Sequence, residues 1–102
     1  MQPPRPPRLF GASAGPRGNP KDSTPVTVTT SATLLLAANS LRVMCALSNT
    51  GTATVYIGGP TVASGQGVPV AAGQTWVDDG TQGAWYGVVA SGTGTIAPLE
   101  VA

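Results

Sequence analysis

Leu41-Arg42-Val43-Met44-Cys45-Ala46-Leu47-Ser48-Asn49-Thr50-Gly51-Thr52-Ala53-Thr54-Val55-Tyr56-Ile57 is the stretch that decides the fold class. Leu41, Val43, Cys45 and Leu47 alternate with Arg42, Met44, Ala46 and Ser48, the period of two that places one set of side chains on a buried face. Asn49-Thr50-Gly51 offers turn chemistry, because Asn and Gly tolerate positive φ. Ala53, Val55 and Ile57 then resume the inward set, with Thr54 and Tyr56 on the other side. Residues 41–57 read as a β-hairpin.

The same pattern extends outward on both sides. Val26–Thr30 alternates as a half-buried strand should, and the Leu triplet within Thr33–Ala38 fits either a short strand or one helical turn. After the Gly-rich loop from Gly58 to Gly67, Val68–Val70 is a short strand that Pro69 confines to a sheet edge. Gln74–Val77, Ala84–Val89 and Thr95–Val101 are further strands, separated by turns at Asp78-Asp79-Gly80 and Ser91-Gly92-Thr93-Gly94. No segment combines helix length with helix periodicity. Strands at this spacing with Gly turns predict an all-β module, a small antiparallel β-sandwich or barrel over residues 26–102. The expected core is Leu41, Val43, Cys45, Leu47, Val55, Ile57, Trp85, Val89 and one face of Thr95–Val101, continuous between copies of the chain. So small a module buries only about 60–65% of its unfolded surface, which favours oligomerisation, and a homotrimer is expected.

Residues 1–25 differ from the module in kind. They hold seven of the ten prolines and four of the five basic residues. Too few apolar groups are present to offset the ordering entropy, so the segment reads as an extended Pro/Arg-rich arm with polyproline II character near Pro3–Pro7. Arg5, Arg8, Arg17 and Lys21 are its partner-binding charges, and Leu9 and Phe10 its apolar anchors. Pro3, Pro6 and Arg8 satisfy a PxxPxR pattern of the kind SH3 domains bind, a match that short sequences meet by chance. The arm carries +3, whereas residues 26–102 set Arg42 against Asp78, Asp79 and Glu100 for −2. That polarity suits head-to-tail packing or an acidic partner. From Ser23 to Val77 the only formal charge is Arg42.

Catalytic chemistry has little to work with. There is no histidine, the usual general base and metal ligand near neutral pH. Asp78 and Asp79 are adjacent and read as a turn before Gly80 rather than as a calcium or acid–base pair. Gly58-Gly59-Pro60 lacks the lysine and the helix of a phosphate loop. Cys45, the single cysteine, reads as a small buried hydrophobe. Neither an enzyme, nor a cofactor, nor a metal site is expected. Nucleic acid is an unfavoured partner, since the module is net negative and the arm's charges are scattered. Prolines stand where a signal peptide needs an apolar run, and Leu34–Ala38 is too short to span a bilayer. Synthesis in a cytoplasm with no membrane partner is the expectation. Tyr56, Trp76, Trp85 and Tyr86 are the aromatics available to a core, an interface or, less simply, a sugar platform.

The run Ser48-Asn49-Thr50-Gly51-Thr52-Ala53-Thr54-Val55-Tyr56-Ile57-Gly58-Gly59, with Val68-Pro69-Val70-Ala71-Ala72-Gly73-Gln74 and Gly83-Ala84-Trp85-Tyr86-Gly87-Val88-Val89-Ala90-Ser91-Gly92, resembles small virion proteins of tailed bacteriophages. Among these are capsid decoration (cement) proteins and head-fibre bases. The likeness covers roughly residues 41–97, leaves the arm outside, and consists of strand and turn chemistry. It implies a non-enzymatic structural protein of the virion. The leading expectation is a decoration protein docking on the major capsid protein through arm and module. A tail, collar or fibre-base component is the alternative, and a carbohydrate-binding module using Trp76 or Trp85 the second.

Overall fold

A computed structural model of the chain describes residues 18–102. Nine strands form two antiparallel sheets and no helix occurs among the described residues. One sheet takes β1 (Pro20–Asp22), β2 (Val26–Val28), β4 (Met44–Asn49), β7 (Thr75–Asp78) and β9 (Gly94–Val101). The other takes β3 (Thr33–Leu36), β5 (Val55–Gly58), β6 (Val68–Val70) and β8 (Trp85–Val88) in the order β3-β8-β5-β6. The core lies between them: Val28, Cys45, Leu47 and Ile96 from the first sheet meet Leu35, Leu36, Val55, Ile57, Val70 and Val89 from the side of the second. Of the expected all-β sandwich or barrel, the two-sheet sandwich is the fold.

Strand β9 organises the larger sheet. It pairs over Ile96–Val101 with β4 on one side and with β1 then β2 on the other. Between Asp22↔Leu99 and Val26↔Ile96, three residues (23–25) face two (97–98), so the edge bulges there. Pro98 explains the position. The alternation of ladder bonds turns its missing N–H toward this gap, away from β4, and Pro25 lacks a donor as well. Pro20–Asp22 therefore belong to the sheet, and the module begins before Val26, the boundary drawn from composition. At the end of β2, Thr29 and Ser31 form a hydroxyl-capped turn, with the Ser31 N–H donating to Thr29 Oγ1 at 3.2 Å, which stops the strand before Thr30.

The expected hairpin over 41–57 does not form. β4 and β5 lie in different sheets, and β5–β6 is the consecutive pair that hydrogen-bonds across a loop. Alternation correctly identified Cys45, Leu47, Val55 and Ile57 as inward, but inward-facing residues on successive strands fit a crossover as well as a hairpin. Asn49 makes the difference. Its side chain is buried, Nδ2 donates to the Ala53 and Val70 carbonyls at 2.8 Å each, and Oδ1 accepts the Gly51 N–H at 3.0 Å. The amide clamps the crossover to β6 of the opposite sheet, and no residue from 49 to 51 takes a positive φ.

Two expected core residues also move out. Leu41 is 75% exposed and Val43 38%, because the regular strand starts only at Met44 and residues 40–41 turn. Trp85 packs against the core but stays half-buried, whereas Val89 is fully enclosed. Burial of Cys45, Leu47, Val55, Ile57 and Val89 is complete within a single chain, so the core does not need a neighbouring copy to close it. The Leu triplet is a strand with a bulge between Leu34 and Leu36, which turns both Leu35 and Leu36 inward. Periodicity alone could not choose between strand and helical turn, since two adjacent inward leucines break the alternation.

Candidate docking surface

The four-stranded sheet carries no formal charge on any strand. On its outer face the registers build two lateral rows. Leu34, Tyr86 and Gly58 form one, and Val88, Tyr56 and Pro69 the other. Val88 is only 2% exposed although it lies outside the core between the sheets, while Leu34 is 46% exposed and both tyrosines are half-buried. A sandwich face turned to water normally alternates apolar-in with polar-out. Here the outward positions are apolar or aromatic. Tyr is suited to such a place because it offers a large apolar ring with a hydroxyl that remains satisfied when wet.

Trp76 and Trp85 are used differently. Trp76 stands opposite Leu47 on β7, and Trp85 opposite Leu36 on β8. Their rings meet edge to face across the two sheets, with centroids 6.5 Å apart and planes at 62°. Both pack on the core, and both indole Nε1 groups are shielded without an acceptor among the described residues. The pair closes one side of the sandwich. Beside it, Pro69, Val70, Gln74, Thr75 and Trp76 line an open depression of about 320 Å³. Rings engaged with the core and with each other do not make the flat, open platform on which a sugar stacks.

The polar group that organises the neighbouring loops, between β3 and β4 and before β8, was not singled out as a site from the sequence. Arg42 is buried and its Nε donates to Glu100 Oε1 at 2.8 Å. Its two terminal nitrogens donate to the carbonyls of Ala37, Thr81 and Gly83. Asn39 Nδ2 donates to the other Glu100 oxygen at 3.2 Å, and Gln82 Nε2 to the Arg42 carbonyl at 3.2 Å. One guanidinium thus ties β9 to the loops before β4 and β8. Burial pushes the Glu100 carboxyl upward, but the hydrogen bonds from Arg42 and Asn39 and the nearby positive charges outweigh it, and its pKa lies below the usual value. Every ligand here is spent inside the protein, so the pair is structural. A lone arginine inside an otherwise uncharged stretch, with one acid in the last alternating strand, was the signal for it.

Of the residues expected to bind partners, Arg5, Arg8, Leu9, Phe10 and Arg17 lie outside the described residues, as does the polyproline pattern. Lys21 is described. It sits exposed on β1, in register with Glu100, and so belongs to the sheet rather than to a free arm. Asp78 ends β7 and accepts the Thr81 N–H at 2.8 Å, which is turn chemistry. Cys45 is buried, and desolvation pushes its thiol up despite the opposing Arg42 charge. Among the described residues no three His, Cys, Asp or Glu side chains gather as a metal set, and no helix is long and apolar enough to cross a membrane.

The fold and these surfaces define an all-β sandwich module with one uncharged, tyrosine-bearing outer face and an internal ion-pair clasp. None of the family models, curated proteins or solved structures compared with the chain matches it.

Proposed function

We propose that this chain is a structural protein of a tailed-phage virion, acting as a capsid decoration protein that docks on the head shell and does no catalysis. One observation carries the reading: the outer face of the four-stranded sheet, with Leu34, Tyr56, Pro69 and Tyr86, has no charge to desolvate when covered. The strand and turn resemblance over residues 41–97 supports the virion, and the basic, Leu9-Phe10-bearing N-terminal residues supply a second contact. Two weak contacts on one chain bind more tightly than either alone. The major capsid protein is the partner that this arrangement fits.

Co-sedimentation with shells purified without this protein tests the reading. The full chain should pellet with shells, and Tyr56→Glu combined with Tyr86→Glu should remain in the supernatant while keeping its β circular dichroism. A chain beginning at Gly18 should bind more weakly. Binding that survives both changes refutes the proposal.

A further inference from the structure

The five-stranded sheet ends laterally in two edges that no described strand covers, one made of β1 and then β2, the other of β7. Each step β1–β9, β9–β4 and β4–β7 is antiparallel, so β1 and β7 run in opposite directions. A second copy set alongside in the same orientation therefore brings its β1 antiparallel to β7 of the first.

The phase of the free backbone groups can be read from the bonds at the two ends. Asn19 and Ala102 exchange both bonds, at 2.7 and 3.1 Å. Two residues along, Lys21 turns its backbone toward Glu100, which leaves the Asp22 N–H and C=O pointing away from β9. On the other edge the Asn49 N–H donates to the Gln74 carbonyl at 2.9 Å. Trp76 and Asp78 then face β4, and Thr75 and Val77 hold their N–H and C=O outward. Val77 is 56% exposed.

We infer that copies of this chain associate head to tail through these edges, β7 of one pairing with β1 of the next. The proposed register sets Val77 against Asp22 of the second copy, as a pair exchanging both backbone bonds. The next position then sets Asp78 against Lys21 of the second copy. This is a non-bonded pair, the kind whose Cα atoms approach to about 4.5 Å and whose side chains are closest. Lys21, Glu100, Cys45 and Asp78 already form one lateral row within a copy, with a cation at one end and an anion at the other. Across the seam Asp79 falls opposite Pro20 and Asp22 opposite Val77, so neither remaining acid faces another directly. The contact is heterologous: it closes into a ring if the rotation between copies allows and extends as a filament otherwise. Only Lys21–Asp22 and Val77–Asp78 overlap as strand in this register, which makes it a weak, concentration-dependent association.

Purified full-length protein, with no shell present, tests this separately from docking. In a Cys45→Ala background, which removes the thiol opposite position 78 in the same copy, Lys21→Cys mixed with Asp78→Cys should give a disulfide-linked heterodimer under mild oxidation, because this spacing suits a disulfide. The wild type, whose Cys45 is enclosed, should give none. In sedimentation velocity, Lys21→Glu or Asp78→Lys alone should weaken association several-fold, and the two together should restore it. Val77→Pro removes only an outward donor and should abolish association with the fold intact. A wild-type chain that stays monomeric into the high micromolar range overturns the inference. So does the absence of the cross-link, or association that Val77→Pro leaves unchanged.

Discussion

Arg42 and Glu100 show how one buried pair can be worth little net yet be costly to break. Replacing Arg42 with Met leaves a buried carboxylate and three loop carbonyls without their donor, and should destabilise by about 3–5 kcal/mol in urea titration. Arg42→Met combined with Glu100→Leu should recover much of that loss, since no charge is then stranded. Because the Glu100 pKa is lowered on folding, the unfolded chain binds more protons as pH falls through the carboxylate range. Its contribution is therefore present above the unfolded value of about 4.3 and is lost as pH drops through the lower folded value. A pH series of urea midpoints should show stability falling with acid there, and Glu100→Gln should flatten that slope. Asn49 belongs to the same scale. Asn49→Leu strands the Ala53 and Val70 carbonyls and the Gly51 N–H, at a cost of about 1–3 kcal/mol. Its identity as a polar, turn-forming residue was legible in the sequence. Its burial was not, because one of its two acceptors, the Val70 carbonyl, lies on a strand 21 residues away.

At the level of elements, the bulge in β3 makes a sharp prediction. Leu35→Ala and Leu36→Ala should each cost about 2–5 kcal/mol, whereas Leu34→Ala, on the outer face, should cost under about 1 kcal/mol. An unbroken alternation would instead separate Leu35 from Leu36, and thermal melts of the three variants decide between the two. Gly94 starts β9 where a Cβ would lie 2.9 Å from both Val55 Cγ2 and Val89 Cγ1. Neither valine can swing clear in a closed core, so Gly94→Ala should destabilise by about 1–3 kcal/mol through overpacking. Gly67 is more constrained still: its φ is +72° and an added Cβ would run into the Ile57 carbonyl. Most strands were legible from period-two patterning, including the edge position of β6 at Pro69. The starts of β4 and β2's end were not, since Leu41 and Val43 keep the alternation while leaving the sheet and Thr29 leaves it through a hydroxyl turn.

For the whole molecule, the position of β1 can be weighed by truncation. A chain beginning at Gly18 keeps β1 on β9, whereas one beginning at Val26 exposes the C-terminal half of β9 along that side. The second should melt at a measurably lower temperature than the first. Equal midpoints would show that β1 contributes nothing to the sheet. The same comparison separates a fold defect from loss of shell binding, since only the longer truncation removes sheet structure.

Composition and alternation by themselves determined that this protein is a sparsely charged all-β module, and which faces of its strands turn inward, because burial of one face imposes a period of two. They also marked the N-terminal residues as a separate, basic segment. Tertiary structure alone decided that β4 and β5 part into different sheets and that Pro20–Asp22 join β9. It also decided that Arg42 turns inward to Glu100 while Leu41 and Val43 face water. Strand partners and buried polar contacts are set by groups far apart in the chain, and a local pattern states only that a side chain is covered, never by what.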